Sequence, residues 1–339
     1  MTIAIPPGHD PGPAARRGLG RRRVIALSAA LMLTGGAESK RLRRFSWRGI
    51  ALGADARLDF YAENQSTADA AVSLTLAEVE RLEREFSLYR PDSALRRLNA
   101  TGRLDGPSPD MLAILKQARR LHEISSGRFD VTIQPLWEAS ARHFARSAPT
   151  DVGLQAYDID QARRHVGMNR VKIAAEAVVL APGMAVTLNG IAQGFITDRV
   201  ADVLRAKGWR HVLVGLGEYR ATGPRPDGRP WRVAIPEGSA FGELELRDDA
   251  VATSAAHGTV FGSSGLHHHL IDPLSGASPN HFRSVTVTAA RAGVADAVST
   301  AAFLMPLAAL PRLLTDAGAA HAFVVGADGG HDVIQPRAV

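Results

Sequence analysis

The chain has 339 residues, 45% of them hydrophobic, and no cysteine. That is enough apolar material for a substantial core, and it excludes disulfides, thiolate chemistry and a lipid-attached N-terminal cysteine. The formal net charge is +6, but five arginines against one aspartate in residues 1–37 carry most of it and leave about +2 for residues 38–339, so bulk charge predicts no nucleic-acid partner.

Residues 1–37 combine a polar, proline-rich start, the run Arg21-Arg22-Arg23 and an apolar stretch from Val24 to Leu33 followed by small residues. This fits a twin-arginine export signal, with Gly35 and Ala37 available to a signal peptidase; an uncleaved anchor is the alternative, although the apolar run is short for a bilayer. The expectation is a periplasmic protein with no stable membrane span after processing. Residues 38–48, rich in arginine, read as a solvated basic connector, leaving 49–339 as a single catalytic unit.

Ala54 to Tyr61 alternates like a strand, and Val72, Leu76, Val79 and Phe86 recur at helical spacing across Thr67 to Phe86. Ser87 to Asn99 (SLYRPDSALRRLN) reads as a loop, and Ser108-Pro109 announces a second helix that ends near Gly127. Pro135 to Asp158 shows little period and is expected to be a connector with a short helix; Asp160 to Val166 reads as a short helix and Arg170 to Leu180 as a hairpin. A β-α-β segment follows: a strand over Met184 to Leu188, a helix from about Ile191 to Lys207, and a strand over His211 to Leu216. Short strands are expected around Trp231, Leu244, Ala252, Leu270 and Val285, then helices through Asp296 and over Leu307 to Ala317, and a terminal hairpin turning at Gly329-Gly330. The order is mixed, which favours an α+β fold over a doubly wound sheet.

Two strings carry chemistry. VTLNGIAQGFITD, Val186 to Asp198, places Gly190 and Gly194 where backbone N–H groups at a helix start can face an anion. ADAVST, Ala295 to Thr300, puts the Asp296 carboxylate and the Thr300 hydroxyl four apart on one helical face, where two oxygens can hold a hard cation. By itself the pair equally fits a threonine bonded back to its own helix. The triplet His267, His268 and His269 invites a zinc or metal-delivery reading, but adjacent side chains on a strand point to opposite faces and cannot converge on one ion.

The Asp296–Thr300 pair resembles the DxxxT metal motif of the ApbE family, the FAD:protein FMN transferases. SLYRPDSALRRLN, SSGRFDVTIQPL, VTLNGIAQGFITD and HHLIDPLSG resemble four further motifs of that family in the same order, from about Leu52 to Ala302. The resemblance implies an ApbE-like, T-fold-related α+β architecture of mixed sheets and packed helices in two lobes. It also implies an enzyme that uses Mg²⁺ to split FAD and attach FMN to a threonine or serine of an exported, membrane-bound flavoprotein, releasing AMP. The metal ligands carried over are Asp296, Thr300 and the Gly190 carbonyl. Flavin or FAD contacts fall on Leu52, Tyr89, Arg128, Phe129, Asp130, Thr187, Gln193 and Ile271, with Tyr89 placed to stack on the isoalloxazine. His269 matches the family's histidine, which either activates the acceptor hydroxyl or stabilises phosphate charge, unless it is only a structural imidazole. Asp198 either caps locally or reaches the ligand.

This chain departs from the family at Thr187 and Gln193, where an aspartate and a lysine are frequent. It departs again at Gly217-Glu218 in place of a tandem glycine, and at Ala252-Thr253-Ser254-Ala255 in place of ATSG. The LNGIAQGFITDR wording with the twin-arginine leader resembles the NosX branch, which serves nitrous oxide reduction by flavinylating NosR. An FAD pyrophosphatase yielding FMN and AMP, and a non-enzymatic flavin-binding protein, are the competing readings.

Overall fold

The computed structural model describes residues 28–29, 42–146, 152–235 and 241–338. The leader expected over residues 1–37 lies outside these except for Ser28–Ala29. In chain order the strands are β1 (Ser28–Ala29), β2 (Arg43–Ala51), β3 (Ala54–Ala62), β4 (Arg103–Asp105), β5 (Lys172–Ile173), β6 (Ala177–Val179), β7 (Val212–Gly215), β8 (Tyr219–Thr222), β9 (Trp231–Ala234), β10 (Glu243–Leu246), β11 (Ala250–Ala255), β12 (Val260–Phe261), β13 (His267–His268), β14 (Phe282–Ala289), β15 (Ala319–Gly326) and β16 (His331–Ile334). The helices are α1 (Gln65–Phe86), α2 (Ala94–Thr101), α3 (Pro109–Ile124), α4 (Gln134–Arg146), α5 (Ala156–Arg163), α6 (Ala192–Ala206), α7 (Ala292–Phe303) and α8 (Leu310–Ala317).

Among the described residues nine strands form one sheet, in the order β1-β2-β3-β7-β8-β11-β14-β15-β16, with antiparallel pairing throughout. Together with the helices this is the expected α+β class. Alternation decides what each strand buries: on β7, Val212 and Val214 enter the main core beneath the helices, while Leu213 points to the other face and packs with Trp231, Val233 and Leu246 of the β9–β10 hairpin. A third, smaller cluster joins Leu136 and Ala141 of α4 to Phe261 and Ile271. Helices α6 and α7 lie side by side against the sheet, α7 over β11 and β14 and α6 over β8.

Several elements differ from the sequence expectation. The basic run is no connector beyond residue 42, because Phe45 and Trp47 are buried and Arg44 reaches the buried Asp59 carboxylate at 3.1 Å, so residues 43–48 belong to β2. The second half of SLYRPDSALRRLN is the helix α2, capped by the Ser93 hydroxyl, which accepts from the Arg96 N–H at 3.0 Å. Helix α4 occupies residues expected to be mostly connector, and the helix expected over 160–166 runs instead over Ala156–Arg163. Met184 to Leu188 alternates in burial but joins no sheet; its backbone is held by the Asn99 amide, which pairs with both Val186 N and Val186 O at 2.8 Å, and by the Thr187 N–H bonded to Val131 O. The strand expected around Leu270 is limited to His267–His268. No described helix is long and apolar enough to cross a membrane.

Candidate active site

The start of α6 and the middle of α7 approach closely because two glycines remove the side chains that would separate them. A Cβ on Gly194 would sit on the Ala292 carbonyl and 2.7 Å from Asp296 Cβ, and one on Gly293 would lie 3.3 Å from the Phe195 backbone. The two helices then exchange hydrogen bonds. The Gly194 N–H donates to Asp296 Oδ2 at 2.9 Å, and in return Asp198 on α6 accepts from the Ala292 and Gly293 N–H groups at 2.9 Å each. Asp198 thus supplies the cap that α7 lacks from its own Arg291, and it also pairs with Arg220 and Arg291. Of its two sequence readings, capping is the one the structure bears out. The anion expected at the α6 start is, in the protein itself, the Asp296 carboxylate.

Asp296 stands at one wall of a cleft of about 1190 Å³. The cleft is also lined by Tyr89, Arg128, Phe129, Asp130, Thr187, Gly190, Gln193, His269, Ile271 and Thr300, so eleven of the twelve sequence-derived candidates share one cavity. The exception is Leu52. It forms the β2–β3 turn with a φ of 56°, outside the cleft lining, and its N–H is taken by Glu83 Oε1 at 3.0 Å. Its N–H is thus committed within the protein, while the residues that follow it, Gly53 to Asp55, line the cleft.

The Thr300 hydroxyl lies 3.2 Å from where a Gly190 Cβ would stand and 3.2 Å from Ser254 Oγ, which in turn is 2.9 Å from Ser299 Oγ. Asp296, Thr300 and Gly190 are thereby gathered from positions 110 residues apart. Burial pushes the Asp296 carboxyl up to about 7, opposed by the Gly194 N–H bond and reinforced by the Asp198 charge. A buried carboxylate beside a hydroxyl and a glycine, with a second carboxylate nearby and no basic side chain bonded to it, is a donor set that fits a hard divalent cation.

Asp130 faces the cleft, but its side chain is committed to holding its own loop. Oδ1 accepts from Thr132 N and Thr132 Oγ1 at 2.8 and 2.6 Å, and Oδ2 accepts from Met168 N at 3.0 Å and meets His122 Nδ1 at 3.2 Å. Within the GRFD segment these bonds fix the backbone that carries Phe129. Arg128 is similarly oriented, donating to Asp272 Oδ2 at 2.8 Å and to Leu304 O at 3.1 Å. Tyr89 is 64% exposed at the rim, on a turn whose Tyr89 and Arg90 N–H groups bond Ser87 Oγ.

The three histidines go to three places. His267 packs against Phe144, buried His268 directs Nε2 to Pro279 O at 3.0 Å, and His269 lines the cleft with Nδ1 3.2 Å from both Thr259 N and Thr259 O. Burial lowers the His269 pKa to about 4, so its ring is neutral near pH 7. The sign of the linkage follows: between about 6.5 and 4 the unfolded chain binds a proton that folded His269 refuses, so stability is full above that window and falls as pH drops through it. The expected loss by pH 4 is roughly 3 kcal/mol, and His269→Gln should flatten that part of the curve in urea denaturation at pH 7 and pH 4.5. His122, raised by its bond to Asp130, contributes in the opposite sense.

Among the cleft residues not assigned from sequence, one carries a buried charge-bearing group. Glu218, noted only as a glycine replacement, is 9% exposed and points into the cavity, with Oε2 accepting from Thr253 N at 3.1 Å. Burial and the Asp296 charge push its pKa well above the ordinary carboxylate range. A glutamate at the end of a hydrophobic strand was the available signal.

The profile of the ApbE family matches residues 52–324, which span the whole of this site. This chain belongs to the ApbE family. A FAD:protein FMN transferase of Vibrio cholerae is 31% identical over 300 residues, covering 84% of this chain and 88% of its own length, and one of Haemophilus influenzae is 28% identical over 306 residues, covering 83% and 86%. Among solved structures, the flavin transferase ApbE from Vibrio cholerae superimposes with a TM-score of 0.74 at 26% identity, over 87% of this chain and 98% of its own. The apo flavinyl transferase ApbE of Pseudomonas stutzeri gives 0.75 at 26%, over 87% and 95%. The ApbE fold and the cleft described above therefore coincide in one unit.

Proposed function

We propose that this ApbE-family enzyme transfers FMN from FAD to a threonine or serine hydroxyl of an acceptor protein, releasing AMP, with Mg²⁺ held by Asp296, Thr300 and the Gly190 carbonyl. The observation that carries the reading is the convergence of those three residues in a cleft of dinucleotide size that also holds Tyr89, Phe129, Gln193 and His269. When bound, the ion supplies charge neutralisation on the pyrophosphate. The chain's own residues do the rest. Arg128, fixed by Asp272, brings a cation to the cleft, and Thr187 and Gln193 offer neutral hydrogen-bonding groups where an ion pair would otherwise stand. His269, neutral at pH 7, can accept the acceptor hydroxyl proton as the new oxygen–phosphorus bond forms and the bond to AMP breaks.

Incubation with FAD and Mg²⁺, with and without an acceptor domain, tests this. Covalent FMN mass on the acceptor with one AMP released per transfer is expected, whereas rapid AMP release without acceptor would make the protein an FAD pyrophosphatase, and unchanged FAD a flavin carrier. Tyr89→Ala should weaken flavin binding about tenfold by removing a stacking face; unchanged affinity in a fluorescence titration would remove Tyr89 from the pocket.

The twin-arginine pattern over residues 1–37 supports export to the periplasm as a folded protein, with residues 49–339 as the transferase unit. The acceptor is then the exported domain of a membrane-bound respiratory flavoprotein, NosR-like if the NosX resemblance extends to its partner. Mass spectrometry of a coexpressed exported acceptor identifies both target and compartment.

A further inference from the structure

Strand β7 ends in a tight turn to β8, closed by the Leu216 N–H bonded to Glu218 O at 3.0 Å. Gly217 adopts a φ of 99°, and a Cβ there would lie 2.6 Å from Gln193 Nε2, so the turn is pressed onto the first turn of α6, the same turn whose Gly194 N–H holds Asp296. This delivers Glu218 into the cleft, nine-tenths buried. Its Oε2 is bonded to Thr253 N, and its Oε1 accepts no hydrogen bond from the described residues. Among the described residues no basic side chain pairs with it: Arg220, two residues on, is turned to Asp198 and Ala290 O. The charge acting on it is the Asp296 carboxylate. The residue after its Thr253 partner is Ser254, whose hydroxyl reaches Thr300 Oγ1 at 3.2 Å, so Glu218 is tied to the same short segment of β11 as the hydroxyl in the cation site. Two buried carboxylates facing one cavity, neither paired with a basic side chain among the described residues, are costly to keep ionised unless a cation joins them.

We propose that Glu218 is a further carboxylate of the metal site, its free oxygen taking the divalent cation of Asp296, Thr300 and Gly190 from the β7–β8 turn, directly or through one water. The inference rests on the metal reading above. It gives the site two negative side chains, within the one or two carboxylates through which proteins usually bind Mg²⁺.

The test is Mn²⁺ binding to the full chain without FAD, by calorimetry and electron paramagnetic resonance, for wild type, Glu218→Gln, Glu218→Asp and Asp296→Ala. Glu218→Gln keeps an acceptor for Thr253 N and should raise the Mn²⁺ Kd at least tenfold, without lowering the Tm measured in EDTA. Glu218→Asp, which keeps the charge but shortens the reach, should also bind more weakly than wild type. Asp296→Ala should lose binding. Wild-type affinity in Glu218→Gln alongside loss in Asp296→Ala would overturn the Glu218 proposal and leave the metal reading standing. Wild-type affinity in Glu218→Asp would reduce Glu218 to a field effect and overturn ligation. Wild-type affinity in Asp296→Ala would instead remove the metal reading itself.

Discussion

Asp296→Asn is expected to reduce FMN transfer at least about 1000-fold, the several kcal/mol that a lost metal carboxylate costs a phosphoryl transition state, while raising the Tm measured in EDTA. The two effects have one cause. Asp296 is buried, its carboxyl is held near 7 by that burial, and the neighbouring charges are Asp198 and Glu218 rather than bases. The asparagine oxygen can still accept the Gly194 N–H, so the α6–α7 contact survives while the charge is gone. Covalent flavin fluorescence on the acceptor and differential scanning calorimetry read the two outcomes. Full transfer by Asp296→Asn would sink the site assignment; a lowered Tm would show that the carboxylate is needed by the fold rather than strained by it.

Gly194→Ala is expected to destabilise the protein by about 3 kcal/mol, at the upper end for overpacking, a Tm loss of roughly 5–10 °C for a chain of this size. The added methyl would meet the Ala292 carbonyl and lie 2.7 Å from Asp296 Cβ, both fixed by helix backbone and unable to rotate away. Separating α6 from α7 would also break the Asp198 caps on Ala292 and Gly293. The variant should therefore lose Mn²⁺ affinity along with stability. A Tm within 2 °C of wild type, on the same scale, would show that the helices have slack.

The long periodic helices were legible because their apolar spacing and caps are local: α1 and α3 begin within two residues of their expected starts, and Ser108 caps α3 through the Met111 N–H as its Ser-Pro start implies. Strand β2 was hidden by its arginines, one of which, Arg44, is answered by Asp59 on the neighbouring strand, a partner that only pairing supplies. Helix α2 was hidden behind proline and arginine, although Ser93 was a cap in plain sequence. Met184 to Leu188 has strand alternation without a strand beside it, because Asn99 occupies its backbone.

By itself the chain determined the α+β class, the ApbE motifs and which side chains meet in the cleft, since residue type and spacing along single helices and turns are local properties. Only tertiary packing decided what those side chains do there. The Leu52 N–H was taken by Glu83, the Asp130 carboxylate holds its own loop, and Asp198 became the cap of a helix almost a hundred residues away. Glu218 was brought to the wall of the cleft by a glycine turn lying against α6. The reason is that a carboxylate's chemistry depends on the donors and charges within a few ångströms of it, and here nearly all of those come from other segments of the chain.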